Sequence, residues 1–98
     1  MTLTKHQEGD NLTVAVEGRL DTATAPQLEE VLKSPGDGVT RLTLDFAGVT
    51  YVSSAGLRVI LTAHKQMGTP GRMILRNVNE TVMDVFEATG LAKILTFD

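Results

Sequence analysis

The apolar residues of this chain switch back and forth between a period of two and a period near 3.6, and that alternation constrains the fold more than any other feature. Leu12, Val14 and Val16 alternate with Thr13, Ala15 and Glu17, and Leu42, Leu44 and Phe46 alternate with Thr43 and Asp45. Both patterns predict half-buried strands. Thr2–Glu8 is a weaker strand that ends at the turn dipeptide Gly9-Asp10, so the first two strands form an antiparallel hairpin. Tyr51-Val52 continues the third strand after a break at Gly48, Met73–Val78 makes a fourth, and Ile94–Phe97 a short fifth. Between them lie helical stripes: Leu28, Val31 and Leu32; Leu57, Ile60, Leu61 and His64, with Arg58, Thr62 and Lys65 facing outward; and Val82, Val85 and Phe86.

The order ββαβαβαβ implies an α/β fold with a mostly parallel five-stranded sheet, opened by the hairpin and closed by right-handed crossovers. A parallel sheet covered on both faces would read as continuous Val, Ile and Leu. Here Thr, Asp and Glu interrupt the strands, so the helices are expected mainly on one face. Breakers agree with this division. Thr24 is expected to cap the first helix, with Gln27 as the returning partner and Pro26 in the first turn. Ser34-Pro-Gly-Asp-Gly38 ends that helix and Gly68-Thr-Pro-Gly71 ends the second. Asn79 caps the third, which closes at Gly90.

With 98 residues the chain is expected to be one domain over 1–98, with no linker or internal repeat. Its net charge of −3 argues against direct nucleic-acid binding, which needs a basic face to displace counterions. The absence of cysteine excludes disulfides and thiolate metal sites and suits a reducing cytoplasm. No apolar run approaches the roughly 20 residues of a membrane span, and MTLTKHQEGD lacks an apolar signal core, which argues against export.

Of only three serines, two are adjacent, Ser53 and Ser54, at the junction between the third strand and the second helix. In open α/β sheets, partners and ligands sit beyond the carboxyl ends of the strands. The Gly18–Thr24 stretch meets this junction if the second and third strands are neighbours, which brings Asp21 near the serines. A helix start leaves about four unpaired N–H groups that a serine can cap and that also favour a phosphate. Small Ala55 and Gly56 leave the hydroxyls uncovered, and a glycine in a first turn costs about 1 kcal/mol against alanine, which suggests a close approach. Three chemistries fit adjacent serines: a cap, a nucleophile and a phosphorylation site. A nucleophile fares badly. The pattern G-x-S-x-G is absent, and of the two histidines His6 lies on the first strand, while His64 is roughly 15 Å down the same helix at 1.5 Å per residue. The phosphate-binding pattern G-x-x-x-x-G-K-[ST] is also absent.

The stretches VEGRLDTATAPQLEEVL and LDFAGVTYVSSAGLRVIL together resemble the STAS domain of bacterial anti-sigma factor antagonists, and the resemblance covers nearly the whole chain. In that family a serine just before the second helix is phosphorylated by a partner anti-sigma factor, a serine kinase. The unphosphorylated antagonist binds the kinase and frees a sigma factor, and a serine phosphatase resets the system. The family's usual core is Asp-Ser-Ser/Thr-Gly-Leu. Aligned on Gly56-Leu57, its first hydroxyl falls on Ser54, its second on Ala55 and its acid on Ser53. The resemblance therefore implies Ser54 as phosphoacceptor, with Ser53 as the alternative, in a Ser-Ser-Ala-Gly variant of the motif. Asp21 matches the aspartate of the family's first loop, where it helps orient the phosphotransfer or the partner. The implied partner surface comprises Asp21, Thr22, Thr24, Ser53, Ser54, Gly56 and Arg58. The family's further C-terminal helix is not expected, since the sequence stops at Asp98. No catalysis, cofactor, metal or membrane is implied, and the place of action is the cytoplasm. The alternative is a STAS interaction module that is not phosphorylated, or one that senses a nucleotide or anion at the same helix end.

Overall fold

The computed structural model describes residues 1–68 and 72–98. Strands β1 (Thr2–Glu8), β2 (Asn11–Leu20), β3 (Arg41–Val52), β4 (Met73–Arg76) and β5 (Thr96–Phe97) form one sheet in sequential order β1-β2-β3-β4-β5. The β1–β2 pair is antiparallel and all other pairs are parallel. Helices α1 (Ala25–Lys33), α2 (Ser54–Met67) and α3 (Glu80–Ala88) carry the three crossovers between parallel strands, and a 3₁₀ turn at Leu91–Lys93 leads into β5.

Sequential strand order with crossovers of one hand puts the helices on one face, and burial shows which. Leu12, Val14, Val16, Leu20, Leu42, Leu44, Phe46, Met73 and Leu75 point from the strands into the core, where they meet Leu28, Leu32, Ile60, Val82 and Phe86 of the helices. Phe86 sits between two rings, 6.5 Å from Phe46 and 5.4 Å edge-on from Phe97, in the range where aromatic pairs add to area burial. The opposite face carries Asn11, Thr13, Ala15 and Asp45, all only partly covered. Thr43 on this face is buried all the same, its hydroxyl 3.4 Å from Asn11 Oδ1. The expectation of a sheet with helices mainly on one face is met.

Several local expectations are corrected. Gly48 does not break β3, which runs on to Val52. Instead it pairs with Glu17 at a register shift, and a Cβ on Gly48 would lie 2.6 Å from Glu17 Cγ. The glycine admits a bulge that lets β3 continue to the junction. The stripe of α2 is rotated: Gly56, Leu57, Val59, Ile60 and Ala63 are buried, whereas Leu61 and His64 are only half-buried. Contacts between α1 and α2 pull Val59 and Ala63 inward. Strand β4 stops at Arg76 rather than Val78, because Asn77 takes φ 59°. Ile94 stays out of β5 and is 52% exposed. The end of α2 is made by Gly68 at φ 82°, while Thr69, Pro70 and Gly71 of the expected breaker lie outside the described residues. Asn79 caps α3 as expected, its side chain accepting from the Val82 N–H at 2.8 Å.

Candidate functional site at the β3–α2 junction

Parallel pairing of β2 with β3 ends at Leu20 opposite Val52. The two chain segments that follow therefore emerge side by side at the carboxyl end of the sheet. A hydrogen bond ties them, from Ser53 N–H to Leu20 carbonyl at 2.8 Å. The structure thus brings the Asp21 loop to the two serines, as the sequence implies.

The two hydroxyls have different positions. Ser53 is the cap: its backbone is extended, its carbonyl accepts from Leu57 N–H at 2.9 Å, and its Oγ faces the Gly56 N–H at 3.5 Å. Ser54 is the first residue of α2. It is exposed, and its hydroxyl has no hydrogen-bond partner among the described residues. Gly56, two residues on, is buried. A Cβ there would lie 2.7 Å from Leu20 Cγ and 3.1 Å from the Leu20 carbonyl oxygen. The close approach signalled by that glycine is therefore made by the chain's own Leu20. Gly56 lets α2 start hard against β2, which sets where Ser54 stands.

Asp21 organises the neighbouring loop. One carboxylate oxygen accepts from the N–H groups of Ala23 at 3.0 Å and Thr24 at 3.1 Å, and the Thr24 hydroxyl oxygen lies 3.2 Å from it. The backbone bond from Thr24 is the largest influence on this carboxyl. Together with the Thr24 hydroxyl, the Ala23 N–H and the Arg19 charge, it outweighs partial desolvation and holds the group below its ordinary range. Thr24 occupies the cap position of α1 but does not cap it through its side chain, contrary to expectation. Its hydroxyl donates to the Arg19 carbonyl at 2.7 Å and lies 2.9 Å from Asp21 N–H, which donates to it. The side chain closes the Arg19–Asp21 turn instead. Thr22 is exposed at the loop's tip. Arg58, on the first turn of α2 beyond the serines, is exposed as well.

Two residues that sequence reasoning left aside also belong here. Arg19 stacks over Tyr51, 4.2 Å from the ring centroid, with its Nε 3.7 Å from Asp21 Oδ2. They are register partners at the ends of adjacent strands. Period two places both opposite Leu20 and Val52, away from the core, and that was the available signal. His6 and His64 sit on β1 and in the last turn of α2, so neither shares the junction with a serine. Among the described residues no group of three or more His, Cys, Asp and Glu is arranged to hold a metal ion, and no helix is long and apolar enough to cross a membrane.

The family model for the STAS domain matches residues 2–98. The chain belongs to the STAS domain family. A Bordetella bronchiseptica relative of this STAS domain, provisionally named the anti-sigma factor antagonist BtrV, is 36% identical over 96 residues, which is 96% of this chain and 83% of the relative. The anti-sigma-B factor antagonist of Listeria monocytogenes is 30% identical over 94 residues, 93% of this chain and 82% of the relative. Among solved structures, the STAS domain described here resembles the anti-sigma factor antagonist SpoIIAA in its unphosphorylated form, with a TM-score of 0.80 at 22% identity over 99% of this chain and 88% of that one. For the phosphorylated form of SpoIIAA the TM-score is 0.75 at 20% identity, over 99% and 91%. These two likenesses show that the fold is shared.

Proposed function

We propose that this STAS domain, one unit over residues 1–98, is an anti-sigma factor antagonist that acts in the cytoplasm by partner switching. Unphosphorylated, it binds an anti-sigma factor that is a serine kinase. The kinase transfers a phosphoryl group from ATP to Ser54 Oγ, so an Oγ–P bond forms, the bond to ADP breaks, and the hydroxyl proton leaves with a base of the kinase. The phosphorylated protein is released, and a serine phosphatase resets it. The domain performs no catalysis of its own and uses no cofactor.

The observation that carries this reading is the division of labour between the serines. The Ser53 hydroxyl faces inward at the cap, whereas the Ser54 hydroxyl is exposed and uncommitted at the helix start. A kinase needs an acceptor oxygen it can enclose, and Ser54 offers one without dismantling the cap. The relatives' names and the two phosphorylation states of SpoIIAA support the reading of an anti-sigma factor antagonist that works by phosphorylation. The docking surface extends from Ser54 over Thr22 and Arg58, held in place by Asp21, Thr24, Ser53 and Gly56.

The test is incubation with the cognate kinase and ATP, followed by intact-mass measurement and peptide mapping. A gain of one phosphate on Ser54, absent from Ser54→Ala, is expected. Labelling that persists in Ser54→Ala and disappears in Ser53→Ala would move the site by one residue. Tight binding with no phosphate gained would mark an interaction module that is not phosphorylated.

A further inference from the structure

Arg58 is the basic residue in the first turns of α2, and its environment points to a use. It stands four residues after Ser54 on the same helix, and such pairs share one face. Side chains on a helix lean toward its N-terminus, so the Arg58 stem is able to bring its guanidinium back to a group on Ser54. Arg58 is exposed, and among the described residues its guanidinium has neither an ion-pair partner nor a hydrogen-bond acceptor. The other cation near the junction, Arg19, is engaged by Asp21 at 3.7 Å and by the Tyr51 ring. Arg58 borders a hollow of about 150 Å³ together with Thr22, Pro26, Glu29 and Ala55. This hollow spans the loop before α1 and the first turn of α2.

We propose that Arg58 pairs in cis with a phosphate on Ser54, closing over the first turn of α2. The inference rests on Ser54 as the acceptor. An anion four residues before a cation is the favourable order for a helix pair, and a guanidinium can meet two phosphate oxygens at once. The charged groups at this end of the elements around the hollow are Arg19, Asp21, Glu29 and Arg58; Glu30 on α1 does not line the hollow, and Lys33 and Lys65 lie in the last turns of α1 and α2. Of the four, the two carboxylates repel a phosphate and Arg19 is already shared, which leaves Arg58. Phosphorylation then changes the surface twice. It adds an anion at Ser54, and it withdraws from the partner the arginine that stood free beside it.

The pair can be tested without any kinase. Phosphoserine is incorporated directly at position 54 by genetic encoding, and its second ionisation is followed by ³¹P NMR against pH, beside the same measurement in Arg58→Gln, Arg58→Lys and Arg19→Gln backgrounds. The helix start is common to all four proteins, so its effect cancels. The ionisation, near pH 6 for an unperturbed phosphoserine, is expected to rise by about 0.3 pH unit in Arg58→Gln and by less in Arg58→Lys, with the Arg58 Nε–H signal shifting on phosphorylation. An unchanged value in Arg58→Gln, or a rise that appears with Arg19→Gln in its place, overturns the pairing. Failure of the kinase to label Ser54 would strike the functional reading instead and leave this measurement intact.

Discussion

Ser53 and Leu20 are joined by a hydrogen bond from the Ser53 N–H to the Leu20 carbonyl at 2.8 Å, and Leu20 also packs against Gly56, three residues further on from Ser53. One core leucine therefore fixes both the last bond of the sheet and the first turn of the helix that presents Ser54. The position of the acceptor hydroxyl follows from packing beneath it rather than from contacts at the surface.

Gly56→Ala should therefore be destabilising despite alanine's better helix propensity. The new methyl would enter a space already held by Leu20 Cγ at 2.7 Å and by a backbone oxygen at 3.1 Å. Overpacking of this kind costs about 1–3 kcal/mol, against a propensity gain of at most about 1 kcal/mol. A melting temperature lower by roughly 4–8 °C for each net kcal/mol is expected in a thermal scan. An unchanged or raised value would show that Leu20 yields freely.

The two serines should separate in stability as they do in position. Ser53→Ala removes the cap of α2, at a cost of about 0.5–1 kcal/mol, toward the low end for caps because the Oγ to N distance is 3.5 Å. Ser54→Ala removes an exposed hydroxyl and should stay within about 0.5 kcal/mol of the parent. Urea unfolding of both variants checks this. A larger loss for Ser54→Ala would make Ser54 the structural serine.

Thr24→Val should loosen the loop where the expected cap fails to form. The hydroxyl bonds to the Arg19 carbonyl and to Asp21 N–H would both be lost, leaving a partly buried donor unpaired and an exposed carbonyl to water, at about 1 kcal/mol. Thr24→Ser keeps the oxygen and should recover most of the loss. Amide exchange at Asp21 should quicken in the valine variant and not in the serine one. Equal exchange in both would remove this hydroxyl from the loop's support.

Acid should undo the same loop through Asp21. Its carboxyl is held below the ordinary range in the folded protein, first by the Thr24 N–H. A depressed acid contributes stability above its unfolded value, near 3.9, and loses it as pH falls through the folded value. Asp21→Ala should thus lower the melting temperature at pH 7, with the gap to the parent narrowing steadily below about pH 4. A gap that is constant from pH 7 to pH 3 would mean that the charge form of Asp21 does not matter to the fold.

Much of this was legible in the chain itself. Period two in Leu12–Val16 and Leu42–Phe46 announced the central strands, and the polar residues between them announced a sheet with one open face. The serine pair marked the junction. What stayed hidden depended on contacts between distant residues. Gly48 looks like a break until Glu17 is known to lie across from it. Val59 and Ala63 turn inward because α1 lies alongside α2, which no single-helix pattern records. Thr24 has the look of a cap, yet its hydroxyl finds a closer acceptor five residues back, at Arg19.

Phosphorylation of Ser54 should leave the fold intact and act at the interface. The group adds about −1.5 to −2 charges at pH 7. At the start of α2 that charge is locally favourable, by roughly 0.3–1 kcal/mol when exposed, and pairing with Arg58 works in the same direction. Docked against a partner, the same group would be buried. Desolvating an ion costs several kcal/mol in effect unless the partner supplies a matching cation. A cost of about 4 kcal/mol weakens binding roughly a thousandfold, at 1.4 kcal/mol per tenfold, so the interfacial effect exceeds the local one. The phosphorylated protein is expected to keep its far-UV circular dichroism, to melt at an equal or slightly higher temperature, and to lose affinity for the kinase. Ser54→Asp should reproduce only part of that loss, having less charge and fewer acceptor oxygens. Loss of amide-exchange protection from Leu57 to Met67 on phosphorylation would contradict this mechanism, because α2 would then be melting and release would come from disorder in the helix rather than from a charge buried at its end.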